Sequence, residues 1–133
     1  MKINILSAIL AFTALASAVP VDIADAGTAN VTLIAAPQER GVATYYYQNG
    51  GTGSCGERWS DNDILCAVSP SRIRGRCGHP CRLSANGHTL WGRVVDTCVG
   101  CSPQHVDVSV RAFRILSNNN LGAGRINVDW RIK

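Results

Sequence analysis

Beyond its first eighteen residues the chain has no apolar run near the roughly 20 residues that a membrane-spanning helix requires. That argues against a helical membrane anchor and for a soluble product. Its basic residues are scattered, without the concentrated stripe that binding to a phosphate backbone demands, which sets nucleic acid aside. No glycine-rich loop stands before a helix to cradle phosphates, so no nucleotide, metal or other cofactor is implied. No internal repeat is evident, and there is no βαβ pattern of the kind that hosts redox CxxC motifs.

What the chain does have begins with an export signal. Lys2, the apolar run Ile3 to Leu15 and the small-residue pattern Ala16-Ser17-Ala18 form a secretory signal over residues 1–18, with cleavage expected before Val19. The remaining part, about 115 residues, suffices for one core and one domain. With Lys2 removed, twelve basic residues face nine acidic ones, a mild excess that suits adhesion to an acidic wall or mucilage. Residues 19–38 show neither helical nor strand period and read as a linker or propeptide.

All six cysteines, Cys55, Cys66, Cys77, Cys81, Cys98 and Cys101, lie in the exported part. An even count in a secreted chain reads as three disulfides, with the pairing open among about 15 connectivities. A redox pair at Cys98 and Cys101, or a zinc cluster of Cys77, Cys81, Cys98 and Cys101 with His79 or His105, are alternatives that compete with oxidation during export. His79 and His105, each beside a cysteine-rich turn, read most simply as solvated loop residues.

Gly41 to Tyr47 has strong β character and opens the globular domain, followed by a glycine-rich turn from Gln48 to Ser54. Ile64 to Val68 is a short apolar strand. Arg82 to Ser84 leads into Asn86-Gly87, a hairpin signal, with Thr89 to Val95 as the return strand. Ser109 is placed to cap a helix from Val110 to Leu116. In Arg125 to Ile132 apolar and polar residues alternate, so Ile126, Val128, Trp130 and Ile132 face a core. Short strands, abundant glycine and one short helix predict a mostly β, disulfide-stapled barrel.

Val94-Val95-Asp96-Thr97-Cys98-Val99-Gly100-Cys101, followed shortly by Asp107-Val108-Ser109, carries the chemistry. A β-branched run delivers one carboxylate to its end, and a second carboxylate precedes the helix. Two acids near one another in an extracellular chain suit a sugar polymer. Each also has a structural reading: Asp107 as an acid at the helix N-terminus beside the Ser109 cap, and Asp96 as a strand-end acid accepting backbone N–H groups. Tyr45, Tyr46, Tyr47, Trp59 and Trp91 are many aromatics for a small domain. By strand alternation Tyr45 and Tyr47 face one side and Tyr46 the other, so at least one ring is exposed and suited to the C–H face of a pyranose. Tyr46 or Trp91 filling the barrel is the competing reading, and Trp130 belongs to the core.

Four segments, Gly41-Val42-Ala43-Thr44-Tyr45, Val95-Asp96, Val106-Asp107-Val108-Ser109 with Ala112-Phe113, and Gly124 to Arg131, together resemble the double-psi β-barrel of expansins and rare lipoprotein A-like (RlpA-like) proteins. The resemblance extends over residues 40–133, and the domain is drawn as 39–133. The cysteine-bearing pieces Ser54-Cys55-Gly56, Cys77-Gly78 and Asp96 to Cys101 resemble single-domain secreted members, namely loosenins, barwin- and kiwellin-like proteins and a bacterial papain inhibitor. The resemblance implies a six- or seven-stranded barrel with one short helix, and a shallow carbohydrate groove of Asp107, Asp96 and Thr44, to which the reading of the aromatics adds Tyr46 and Trp59. It also implies that Cys66 and Cys81, which four-cysteine relatives lack, form an added staple.

By the same resemblance Asp107 matches the groove aspartate that serves as general acid in family 45 glycoside hydrolases. Inverting hydrolysis needs a second carboxylate about 6.5–9.5 Å away. In those enzymes it follows the first strand's Thr and Tyr, where this chain reads Thr44-Tyr45-Tyr46-Tyr47-Gln48, with no acid. A groove tyrosine of bacterial expansins corresponds to Cys98. The lytic members pair Asp with His, and His88, in the Asn86-Gly87-His88 turn, is not at that position. The expectation is therefore no catalytic residue and a non-hydrolytic, expansin- or loosenin-like monomer that binds cellulose, chitin or a peptidoglycan-like glycan and loosens chain packing. The alternative is a protein-binding module, an inhibitor or host-directed effector, that uses the loops 50–58 and 69–80. Arg72, Arg74 and Arg76 in the second loop favour it slightly, because arginine is enriched at interfaces.

Overall fold

A computed structural model describes residues 39–133. The expected signal and linker, 1–18 and 19–38, lie outside the described residues. Six strands, β1 (Glu39–Tyr46), β2 (Leu65–Val68), β3 (Pro80–Ala85), β4 (His88–Thr97), β5 (His105–Ser109) and β6 (Ile126–Ile132), close into one barrel in the order β1-β5-β2-β4-β3-β6. β1 with β5 and β2 with β4 run parallel; the other pairs are antiparallel. Helix α1 (Pro70–Ile73) is a single turn after β2, and α2 (Val110–Leu116) follows β5 directly.

Alternation decides which side chains fill the interior. Ala43, Cys66, Val68, Cys81, Leu83, Val94, Val106, Val108, Val128 and Trp130 point inward and are buried, and Ala112, Phe113 and Leu116 of α2 close one side of the same core. Tyr45 stacks on Phe113 with ring centroids 4.7 Å apart, so the tyrosine that joins the core is Tyr45 and not Tyr46. Trp130 is the largest fully buried side chain, and its indole N–H donates to the Gln104 carbonyl at 3.0 Å. Gly41 lies against both: a Cβ there would collide with the Gln104 carbonyl and come within 2.8 Å of the indole nitrogen. Only a residue without a side chain lets β1 pass this close.

The Asn86-Gly87 turn has both residues at positive φ, 49° and 83°, as a two-residue hairpin with right-handed strand twist requires. His88 is the first residue of β4 rather than part of the turn, and its Nε2 lies 2.8 Å from Asn118 Oδ1. Ser109 does not cap α2 with its side chain. Its hydroxyl donates instead to the Asp63 carbonyl (2.6 Å) and accepts from the Leu65 N–H (3.1 Å), so it ties the entry of β2 to the end of β5.

Two disulfides are present, Cys55–Cys77 and Cys98–Cys101. These bonds occupy three of the cysteines in the zinc alternative. The expected third bond is corrected: Cys66 and Cys81 are free thiols. They sit on β2 and β3, which flank β4 without pairing with each other, and they meet inside the core through a thiol hydrogen bond. Burial pushes the Cys66 thiol well above its ordinary range, and a neutral thiol packs there as a small apolar group. The native protein should therefore resist alkylation, and two thiols should be labelled after unfolding without reductant, as counted by intact mass. Zero labelled thiols after unfolding would mean a third disulfide.

Candidate functional site

Strand pairing sets Thr44, Asp107, Ala67 and Asp96 side by side. Thr44 is opposite Asp107 between β1 and β5, Asp107 is opposite Ala67 between β5 and β2, and Ala67 is opposite Asp96 between β2 and β4. The last pairing depends on a β-bulge. Cys66 faces Val94, the next partner of β2 is Asp96, and Val95 is the extra residue. Without the bulge Asp96 would fall out of step with Ala67. Two strand spacings put the backbones of the two aspartates about 10 Å apart, with Ala67 between them.

On β5 the inward residues Val106 and Val108 alternate with His105 and Asp107, which share the outer face. Thr44 links them. Its hydroxyl donates to Asp107 Oδ1 at 2.8 Å, and His105 Nε2 lies 2.8 Å from the Thr44 hydroxyl oxygen. Because the hydroxyl proton is committed to the carboxylate, Nε2 carries the imidazole proton and donates to Thr44, giving a chain from His105 through Thr44 to Asp107. Burial raises the Asp107 pKa above the usual carboxylate range; the Thr44 hydrogen bond and the His105 charge oppose the rise, and Asp96 adds to it. The His105 pKa is lowered, first by burial and then by Arg125, against the opposing pull of Asp107.

Asp96 is engaged differently. Its Oδ1 accepts the N–H groups of Ser54 and Thr97, each at 2.8 Å, and the Ser54 and Thr97 hydroxyls meet at 2.7 Å. A Cβ on Gly53 would press on the Asp96 side chain at 3.2 Å. Asp96 thus does what a strand-end acid does, fixing the loop that carries Cys55. Tyr46, on the Thr44 side of β1, is held near both acids. Its phenol is pushed well above the ordinary range by burial first, then by the charges of Asp96, Asp107 and Asp61, and its hydroxyl is buried without a hydrogen-bond partner. The exposed tyrosine is Tyr47, at 52%.

Two other groups fall elsewhere. Trp59 lines a recess of about 360 Å³ with Trp91, Asp63, Ile64, Leu65, Gly92 and Arg93, which does not include Asp107, Thr44 or Asp96. Arg72, Arg74 and Arg76 line another, of about 410 Å³, with Glu39, Ser71 and Ile132. Arg72 is spoken for: it pairs with Glu39 at 2.7 Å and lies 4.9 Å over the Trp130 ring. Among the described residues no group of three or more His, Cys, Asp or Glu side chains is arranged to hold a metal.

His105 is the site residue that the sequence reading missed, having been placed in a solvated loop. The signal was present in His105-Val106-Asp107-Val108, where polar and apolar residues alternate and put His105 on the face of Asp107.

A closed six-stranded barrel with parallel β1–β5 and β2–β4 pairs and an outer polar row defines a double-psi β-barrel protein. No protein-family model matches the chain. It is 30% identical over 109 residues to the allergen Asp f 7 homolog of Arthroderma benhamiae, which covers 68% of this chain but 37% of that protein. The Clavibacter michiganensis expansin superposes with a TM-score of 0.65 and 28% identity over 73% of this chain and 50% of that one, and a mutant of it was crystallised with cellohexaose. The Streptomyces papain inhibitor superposes with a TM-score of 0.63 and 27% identity, over 72% of this chain and 94% of that one. The chain thus spans half or less of the allergen homolog and the expansin, and nearly all of the inhibitor. Its fold is that of the double-psi β-barrel proteins, and it resembles the expansin and the papain inhibitor among them.

In an NMR titration the His105 imidazole should show a midpoint below its ordinary 6.5. Asp107→Asn should lower it further, because the carboxylate it removes favours the imidazolium. A midpoint that rises in the variant would break the link between the two side chains.

Proposed function

We propose that the protein is an extracellular, non-hydrolytic polysaccharide-binding barrel that loosens wall glycans by competing for the hydrogen bonds between their chains. The observation that carries this reading is the row Thr44, Asp107, Ala67, Asp96. It is an outer row with an oriented carboxylate and hydroxyl at one end, a second acid at the other and the buried Ala67 between their backbones, suited to sugar hydroxyls. The cellohexaose complex of the expansin supports a β-linked glucan or similar neutral chain as the ligand. Hydrolysis is disfavoured, since the stretch after Thr44 offers no acid and Asp96 Oδ1 is already shared by two N–H donors. The apolar run at residues 3–15 and the two disulfides support export.

Insoluble cellulose, chitin and whole cell wall should each be tested for depletion of the protein from solution, with reducing ends assayed in the supernatant. Binding to at least one should weaken about tenfold in Asp107→Asn, the scale of one hydrogen bond to a charged group, with no reducing ends released. Unchanged binding by the variant would remove the acid face from the site.

A second reading is a protein-binding module. Arg74 and Arg76 support it: both are exposed and neither side chain makes an ion pair or hydrogen bond among the described residues. The likeness to the papain inhibitor over nearly its whole length supports it as well. Arg74→Glu with Arg76→Glu should abolish capture of a protease partner while leaving glycan depletion intact. Loss of glycan binding instead would assign those arginines to the polysaccharide.

A further inference from the structure

We propose that the recess around Trp59 and Trp91 is a second sugar subsite, which takes a neutral hexopyranose ring of the same glycan chain that lies on the Asp107 face. The inference rests on the polysaccharide reading above.

Trp91 lies between Leu90, which packs against the core, and Gly92. It points outward, and its cross-strand neighbour is Arg82. It is 49% exposed, an unusual exposure for the largest side chain on a strand with a well-filled interior. It also does not stand alone, since Trp59 lines the same concavity with one acid and one base, Asp63 and Arg93. Two aromatic rings with a few polar groups at the rim match what a pyranose offers: an apolar C–H face and a belt of hydroxyls. A volume of about 360 Å³ is at the small end of the range for ligand sites, suited to one ring rather than a long segment.

The walls are held rigidly. A Cβ on Gly92 would come within 2.8 Å of the Ile64 carbonyl, and the Arg93 N–H donates to that carbonyl at 3.1 Å, so β4 is drawn tight against the start of β2. The Asp63 carbonyl accepts the Ser109 hydroxyl, while its carboxylate receives the Ser60 N–H on Oδ2 and has no partner on Oδ1 among the described residues. The Arg93 guanidinium lies 5.9 Å over the Trp59 ring and makes only a long contact, 3.3 Å, to the Gly78 carbonyl. One acceptor and several donors are thus left for hydroxyls. The Trp59 indole N–H is buried with no acceptor among the described residues. Lys133 Nζ lies 5.3 Å over the Trp91 ring, and the Asp63 carboxylate in the recess disfavours a polyuronate.

The recess and the acid face belong to one surface. Arg93 and Asp96 are three residues apart on β4, a separation that would put them on opposite faces of a regular strand. The bulge at Val95 brings both to the outside, about 10 Å apart along the strand. A short run of sugars reaches from one to the other.

The test is an NMR titration of ¹⁵N-labelled protein with cellohexaose and chitohexaose, with an oligogalacturonate as the charged control. The indole N–H signals of Trp59 and Trp91 should move with the amides of Thr44 and Asp107, while that of the buried Trp130 stays. Trp91→Ala should weaken the neutral hexamer about tenfold, and Trp91→Phe, which keeps a ring, by no more than about threefold. Should the groove amides move while both indoles stay, the second subsite is wrong and the acid face stands alone. A response confined to the oligogalacturonate would also overturn it. If no glycan moves any signal, the polysaccharide reading and the subsite fall together.

Discussion

One irregularity in strand pairing organises the outer face of this barrel. Between Cys66 and Ala67 the β2–β4 register skips Val95, so Val94 stays in the core while Asp96 arrives level with Ala67. A regular strand would have spent the carboxylate on the interior, where an unpaired charge is costly. Because of the bulge, the acid emerges beside the loop 53–55, accepts its N–H group and fixes where Cys55 sits. The Cys55 N–H in turn donates to the carbonyl of Val95, the extra residue itself. The loop is thus tied both to the bulge and to the acid that the bulge displaces.

The two carboxylates therefore play different parts although they share a face. Asp96 is saturated on one oxygen by backbone donors and acts as a strut. Asp107 is held by one hydroxyl, with its ionisation opposed by burial and by the other acid. The Asp96 charge across one strand raises the cost of ionising Asp107, and a carboxyl so held is better at exchanging hydrogen bonds with sugar hydroxyls than at activating water. The division of labour between strut and ligand group follows from backbone geometry, before any chemistry at the acids is considered.

The sequence showed most clearly what local pattern controls. Ile126 to Ile132 alternates cleanly and is a strand; Asn86-Gly87 can adopt positive φ and is a hairpin; Val110 to Leu116 is a helix. Strand β5 left only a short alternation as its mark. His105 to Ser109 is short, carries two titratable side chains and runs into a helix, so it resembles a connecting loop; its strand character comes from partners on β1, about 60 residues away, and on β2. That one omission hid His105 and made Asp107 look like a helix-terminal acid. Ser109 misled for a related reason: its hydroxyl serves β2, a long-range demand that no capping pattern reveals. Trp59 was assigned to the groove as one of its aromatic residues, whereas the fold carries it to Trp91. The fate of Cys66 and Cys81 turns on strand order, which spacing does not encode.

The staples follow the same logic as the bulge. Core packing around Trp130 and Phe113 closes the barrel without help from sulfur, since the two cysteines within it remain thiols. Both disulfides lie outside the core, in loops. Cys55–Cys77 spans a separation of 22 residues and is worth on the order of 3 kcal/mol against the unfolded chain, whereas Cys98–Cys101, with a separation of 3, constrains only its own turn. Each bond borders the polar face: the first holds the loop that Asp96 fixes, and the second begins two residues beyond Asp96. Oxidation thus fixes the loops around the site more than the barrel beneath it. That arrangement suits a surface that must stay in one shape while it meets a stiff polymer, because side chains already in place lose little freedom on contact.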